Sequence, residues 1–168
     1  MTEPRRSPAA QARTLVAGGR TAALATTGAD GAAWASLVLY AALEDGTPVL
    51  CLSTLAEHGR NVQRDPRASL LIAAAPVTGD PLEASRVTLA GRLEPPQGEA
   101  ARAAYEAVSP AAGGYGAFAD FSYYCLRVER VRWVGGYGRM ASVSAEEYRA
   151  AQPDQALRSS NRARGPSS

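Results

Sequence analysis

The sequence predicts a mainly β, α+β domain: a closed antiparallel barrel carrying a few peripheral helices. Three observations lead there. Short strand-like runs such as TAALATT at Thr21–Thr27 and WASLVLYA from Trp34 to Ala41 follow one another across tight turns. Only two or three segments have helical periodicity, and they interrupt the strands rather than alternate with them. No G-x-G-x-x-G follows the first strand, which argues against a doubly wound dinucleotide-binding sheet.

The elements follow in order. Residues 1–8 read as a loose leader rich in Pro and Arg, and Ala9 to Ala17 as a short helix stopped by Gly18-Gly19. The first two strands flank Gly28-Ala29-Asp30-Gly31, a strong hairpin turn. Glu44-Asp45-Gly46 makes a second turn before a strand from Pro48 to Ser53. A mostly polar helix from about Leu55 to Arg64 is closed by Asp65-Pro66, and Ala68 to Ala74 resumes as strand. Residues 75–84 read as a loop, and Arg86 to Glu94 alternates as a fifth strand. Gln97 to Val108 is helical, and the glycine-rich Gly113 to Gly116 breaks it. Phe121 to Val134 alternates apolar and charged residues, so one face is buried and the other wet. Ser144 and Glu147 match a capping box that opens a last short helix. The tail, residues 151–168, has little to bury and is expected to be disordered. At 168 residues the chain forms one domain, spanning 9–150.

Composition excludes several chemistries. A hydrophobic fraction of 46% with 20% charged residues is ordinary for a globular protein, and a net charge of +2 gives no argument for nucleic acid. All 18 basic residues are Arg. Without Lys there is no lysine Schiff base, hence no covalently held pyridoxal phosphate, and no Walker-type phosphate-binding lysine. Cys51 and Cys125 lie in apolar runs and read as buried reduced thiols, consistent with a cytoplasmic chain. No signal core and no membrane-spanning run of about 20 apolar residues is apparent.

The reactive groups are few. His58 is the only histidine, and no G-x-S-x-G elbow precedes it, so a nucleophilic triad is not expected. One His and two separated Cys make no zinc site, so no metal is expected. The carboxylate pairs Glu44-Asp45 and Glu146-Glu147 sit at turn and cap positions and read as solvated charge. If the protein is an enzyme, the difficult chemistry belongs to a cofactor. The most informative stretch is Leu50 to Leu71, LCLSTLAEHGRNVQRDPRASLL. A strand there hands over to a helix N-terminus, with the Ser53 and Thr54 hydroxyls at the junction and Arg60 beyond. Such a junction favours an anion such as phosphate; equally, Ser53 and Thr54 are ordinary helix caps. Trp133 to Arg139, WVGGYGR, offers close backbone approach and stacking faces, or simply a strand end turning a barrel corner around a core Trp133. Trp34 to Tyr40 could let a planar ring lie along the strand, or serve packing alone.

Taken in order, these pieces resemble the FMN-binding split-barrel superfamily related to pyridoxamine 5'-phosphate oxidase, nearest the haem-utilisation (HugZ-like) branch. The residues that carry it are LAT at Leu24 to Thr26, SLVLYA at Ser36 to Ala41, LSTLAEHGRN at Leu52 to Asn61 and DPRASLLI at Asp65 to Ile72. DPLEASRVTLAGRL at Asp80 to Leu93, DF at Asp120-Phe121 and VGGYGRMASV at Val134 to Val143 continue it. The resemblance implies a split barrel and a homodimer with FMN at the interface. Ser36, Leu37 and Val38 would line the isoalloxazine, while Ser53, Thr54, His58, Arg60 and Asn61 would hold the phosphate end. Trp133, Gly136 and Tyr137 would close the site, from the other subunit where the geometry requires it. It further implies a flavin-dependent oxidoreductase acting on a small molecule. A haem-binding or haem-degrading protein, or a flavin carrier without catalysis, is the alternative, and the deazaflavin F420 is a third candidate ligand. The tail lacks the histidine that pyridoxamine-phosphate oxidases and haem-degrading relatives use there, so oxidation of pyridoxamine phosphate is not expected.

Overall fold

The computed structural model describes residues 6–75, 79–115 and 118–154. Eight strands form one antiparallel sheet: β1 (Thr21–Thr27), β2 (Ala33–Leu39), β3 (Ala41–Ala42), β4 (Pro48–Ser53), β5 (Arg67–Ala73), β6 (Arg86–Glu94), β7 (Phe121–Val134) and β8 (Met140–Ser144). The helices are α1 (Pro8–Gly18), α2 (Glu57–Arg64), α3 (Ala100–Val108), α4 (Ala112–Tyr115) and α5 (Ala145–Ala150), with one 3-10 turn at Pro81–Glu83. The hydrogen-bonded order is β2-β1-β5-β6-β7-β4-β3, and β8 joins β7. β7 is long enough to serve two neighbours on one edge. Its first part, Phe121 to Cys125, pairs with β4, and Arg130 to Val134 pairs with β8.

The barrel is split, as the resemblance implies, where the strand pattern taken alone suggests a closed one. β2 ends the hydrogen-bonded path on one side, and β4 with its short partner β3 ends it on the other. The two come close without pairing, which leaves a seam. The expected single strand from Trp34 to Ala41 divides at Tyr40: its amide still donates to Arg20 O in register with the β1–β2 ladder, and Ala41 and Ala42 beyond it pair with β4 instead.

Alternation decides what lies inside. Ala22, Leu24 and Thr26 of β1 are buried while Thr21, Ala23 and Ala25 are exposed, the pattern of a strand with one wet face. The barrel interior holds Leu24, Leu70, Ile72, Val87, Leu89, Leu126, Val131 and Trp133. β4 is buried on both faces, which accounts for its unbroken apolar run. Leu50 and Leu52 join the barrel core, and Val49 and Cys51 lie under α3 in a second cluster with Ala101 and Tyr105.

Two devices seat the helices. Arg13 of α1, 1% exposed, donates to Tyr148 O, Arg149 O and Ala151 O at the end of α5 and to Glu44 O in the β3–β4 turn. A buried guanidinium spread over carbonyls satisfies the helix end that α5 would otherwise leave open. Residues 151–154, expected to begin the tail, are held against α1: Asp154 N donates to Thr14 Oγ1 at 2.9 Å and Asp154 pairs with Arg6 at 2.5 Å. Residues 155–168 lie outside the described residues. The second device is α2, which closes one end of the barrel. Asn61, fully buried, donates to Thr26 Oγ1 of β1 at 3.1 Å, and Val62 joins the core.

Candidate functional site

The seam between β2 and β4 opens into a groove of about 420 Å³. β2 supplies Leu37, Val38 and Leu39, and β4 supplies Cys51, Leu52 and Ser53. Ala56 and His58 come from the approach to α2 and its first turn, and Phe121 from the start of β7. The groove exists because two strands approach with no ladder between them. Its walls are mostly apolar, and its polar groups are the Cys51 thiol, the Ser53 hydroxyl and the His58 imidazole.

Those three differ in availability. Ser53 Oγ donates to Asp120 Oδ2 at 2.6 Å and accepts from Leu55 N at 3.1 Å. Burial pushes the Cys51 thiol above its ordinary value, partly offset by a hydrogen bond with Tyr123, so the sulfur stays protonated. Burial also pulls His58 below the usual imidazole range, which keeps the ring neutral at pH 7. Among the described residues His58 has no hydrogen bond or ion pair.

The groove gathers Leu37, Val38, Ser53 and His58 from the residues singled out in the sequence. Ser36 and Thr54 are their chain neighbours at its edges. Arg60 and Asn61 are engaged elsewhere. The Arg60 guanidinium donates to Glu57 Oε2 and Leu55 O, both at 2.7 Å, and Asn61 Oδ1 accepts from Arg64 at 2.6 Å while its amide holds Thr26. Of the backbone donors before the helix, Thr54 N reaches Asp120 O and Ala56 N reaches Ser53 O, while the first turn of α2 carries no side-chain cap. The expected side-chain cap from Ser53 or Thr54 does not form. The N-cap of α2 is Ala56, which has no capping side chain; Ser53 lies three residues earlier and its Oγ accepts from Leu55 N instead.

Trp133, Gly136 and Tyr137 form a separate group at the β7–β8 hairpin. Trp133 lies on the same strand as Phe121 but roughly 40 Å further along its contour. Its ring is buried in the barrel core with the Arg139 guanidinium 5.6 Å from the ring centre. Tyr137 is exposed and donates to Asp80 Oδ2 at 3.1 Å. Gly136 needs its freedom, with φ at +112° and Glu83 packed where a Cβ would stand. Leu39, Cys51, Leu52, Ala56 and Phe121 are groove residues that reading the sequence did not single out as ligand contacts. Asp120 and Phe121 stood out only within the resemblance.

The model of the family described as CREG, beta-barrel matches residues 3–150. The chain belongs to that family. The solved structure of a haem-binding protein from Mycobacterium smegmatis is 51% identical, with a TM-score of 0.86, covering 90% of this chain and 63% of that one. A haem oxygenase of Arabidopsis thaliana chloroplasts, HOZ, is 34% identical over 159 residues, covering 89% of this chain and 48% of that protein. The chain therefore spans about half the length of this curated relative. A pyridoxamine 5'-phosphate oxidase-type structure from Listeria innocua, 14% identical with a TM-score of 0.61, covers 77% of this chain and all of that one, and shares the fold. The fold is thus the split barrel that the pyridoxamine-phosphate-oxidase-type structure also has. No helix among the described residues is long and apolar enough to cross a membrane.

Proposed function

We propose that the chain binds haem in the β2–β4 groove, as a homodimer whose second copy completes the cover. The observation that carries this is an open, apolar-walled groove containing one uncommitted imidazole, in a chain 51% identical to a haem-binding protein. The residues present fit such a ligand. Val38, Leu39, Leu52 and Phe121 offer apolar contact to a flat macrocycle and keep water from it. When bound, haem would supply iron redox chemistry, which the chain's own groups cannot. Leu37 stands at the outer lip, 80% exposed, where a partner could cover it. The β7–β8 hairpin does not line the groove of its own chain, so Trp133, Gly136 and Tyr137 would join it from a second copy.

Flavin chemistry, the first reading of the sequence, ranks below haem. A flavin ring could use the same walls, but FMN and F420 also need donors at the phosphate end. Arg60 turns two of its donors to Glu57 and Leu55, the Asn61 amide holds Thr26, and Asp120 adds a carboxylate beside Ser53. Haem degradation, as distinct from binding, is the enzymatic form of the proposal. The test is a visible-absorption titration of the full chain with hemin, FMN and F420 separately. Haem binding requires a saturable Soret shift with hemin, and formation of an open-chain tetrapyrrole on adding a reductant and oxygen marks degradation. A saturable flavin spectrum with no response to hemin would overturn the assignment in favour of the flavin.

A further inference from the structure

The groove contains few groups able to bind a metal centre. The Ser53 hydroxyl is used twice, by Asp120 and by Leu55 N, and the Cys51 thiol lies under α3 beside Tyr123. Outside the groove, the buried phenols Tyr40 and Tyr148 give their hydroxyl protons to Val16 O and Gly46 O. His58 alone combines a position on the groove wall with a side chain that no described residue holds. It is also the only imidazole of the chain.

We infer that His58 is the protein ligand to haem iron in the seam groove. This rests on the haem-binding reading above and goes beyond it by naming the atom donor. An imidazole nitrogen gives its lone pair to an axial position of the iron; no covalent bond breaks and no electron is transferred in the step. His58 would hold the iron from the first turn of α2, beside the groove walls of β2 and β4.

The test uses the full chain with hemin as the probe. Feeding 15N-histidine labels a single imidazole, so nitrogen hyperfine coupling to ferric iron in the unsubstituted protein reports ligation by His58 without any mutation. The coupling is expected. The His58→Ala variant, checked for folding by its circular dichroism melt, is expected to lose it, to bind hemin about tenfold or more weakly, and to recover an imidazole-ligated spectrum when free imidazole is added. Hemin binding by the unsubstituted chain with no histidine coupling would overturn the inference and leave the haem reading standing. A ligation signature lost in Cys51→Ala and kept in His58→Ala would also overturn it, in favour of the thiol. No hemin binding at all would remove both together.

Discussion

Gly59 ties the site to the barrel. It lies in α2, where glycine is normally the weak choice: Gly→Ala inside a helix ordinarily stabilises by roughly 1 kcal/mol. Here a Cβ would stand 2.0 Å from Ser53 O and 2.7 Å from Ser53 C, both backbone atoms at the end of β4. Neither can rotate away. The helix packs onto the strand end only because that atom is missing, and this contact sets Ala56 and His58 beside Leu52 and Ser53. Gly59→Ala is therefore expected to reverse the usual sign, lowering stability by about 2 kcal/mol in urea unfolding and weakening hemin binding. A variant as stable as the parent would mean that α2 does not sit this close to β4.

At the scale of elements, α5 and α2 illustrate opposite kinds of helix start. α5 opens with a complete capping box: Ser144 Oγ accepts from Glu147 N at 3.1 Å, and Ser144 N donates to Glu147 Oε2 at 2.9 Å. Those hydrogen bonds from Ser144 hold the Glu147 carboxyl below its ordinary value. A carboxyl depressed in the folded state adds stability above its unfolded value of about 4.5, and that contribution is lost as pH falls below it. Ser144→Ala is expected to lower stability by about 1 kcal/mol at pH 7. It should also flatten the acid side of the stability profile, as thermal melts from pH 7 to pH 3 would reveal; an unchanged profile would rule the box out as its source. The box was legible in the sequence because every partner lies within three residues. The start of α2 was not: the helix begins at Glu57, beyond both hydroxyls, and Ser53 is oriented by a hydrogen bond to Asp120, 67 residues away. Strand β8 escaped notice for a related reason. Its five residues follow the glycine turn and become a strand only because β7 outruns β4 and leaves an edge to pair. The strands of the barrel, by contrast, were readable from alternation alone. The seam was not, because a sequence shows which residues can pair and not which two neighbouring strands fail to.

For the whole molecule, the unsolved surface is the outer face of β2, β1 and β5. Register sets Leu37 beside Ala23 and Ala23 beside Leu71, with Ala35, Ala25 and Ser69 in the next row. Leu37 is 80% exposed and Leu71 45%. Small residues between large apolar ones make a flat, adhesive surface, and β2 is an edge strand as well. A second copy of the chain is the occupant that the homodimer proposal assigns to it, and Leu37 belongs both to this face and to the groove lip. Leu71 belongs to the face alone, so it separates assembly from direct ligand contact. Leu71→Asp puts a charge in the centre of the face without touching the groove, and is expected to convert the dimer to monomer in sedimentation velocity. Its hemin affinity then decides how the site is built. A loss of affinity that parallels dissociation, and that recovers at high protein concentration, means that the partner completes the groove. Monomers that keep full affinity would confine the site to the β2–β4 seam of one chain. A Leu71→Asp protein that remains dimeric would move the interface off this face altogether.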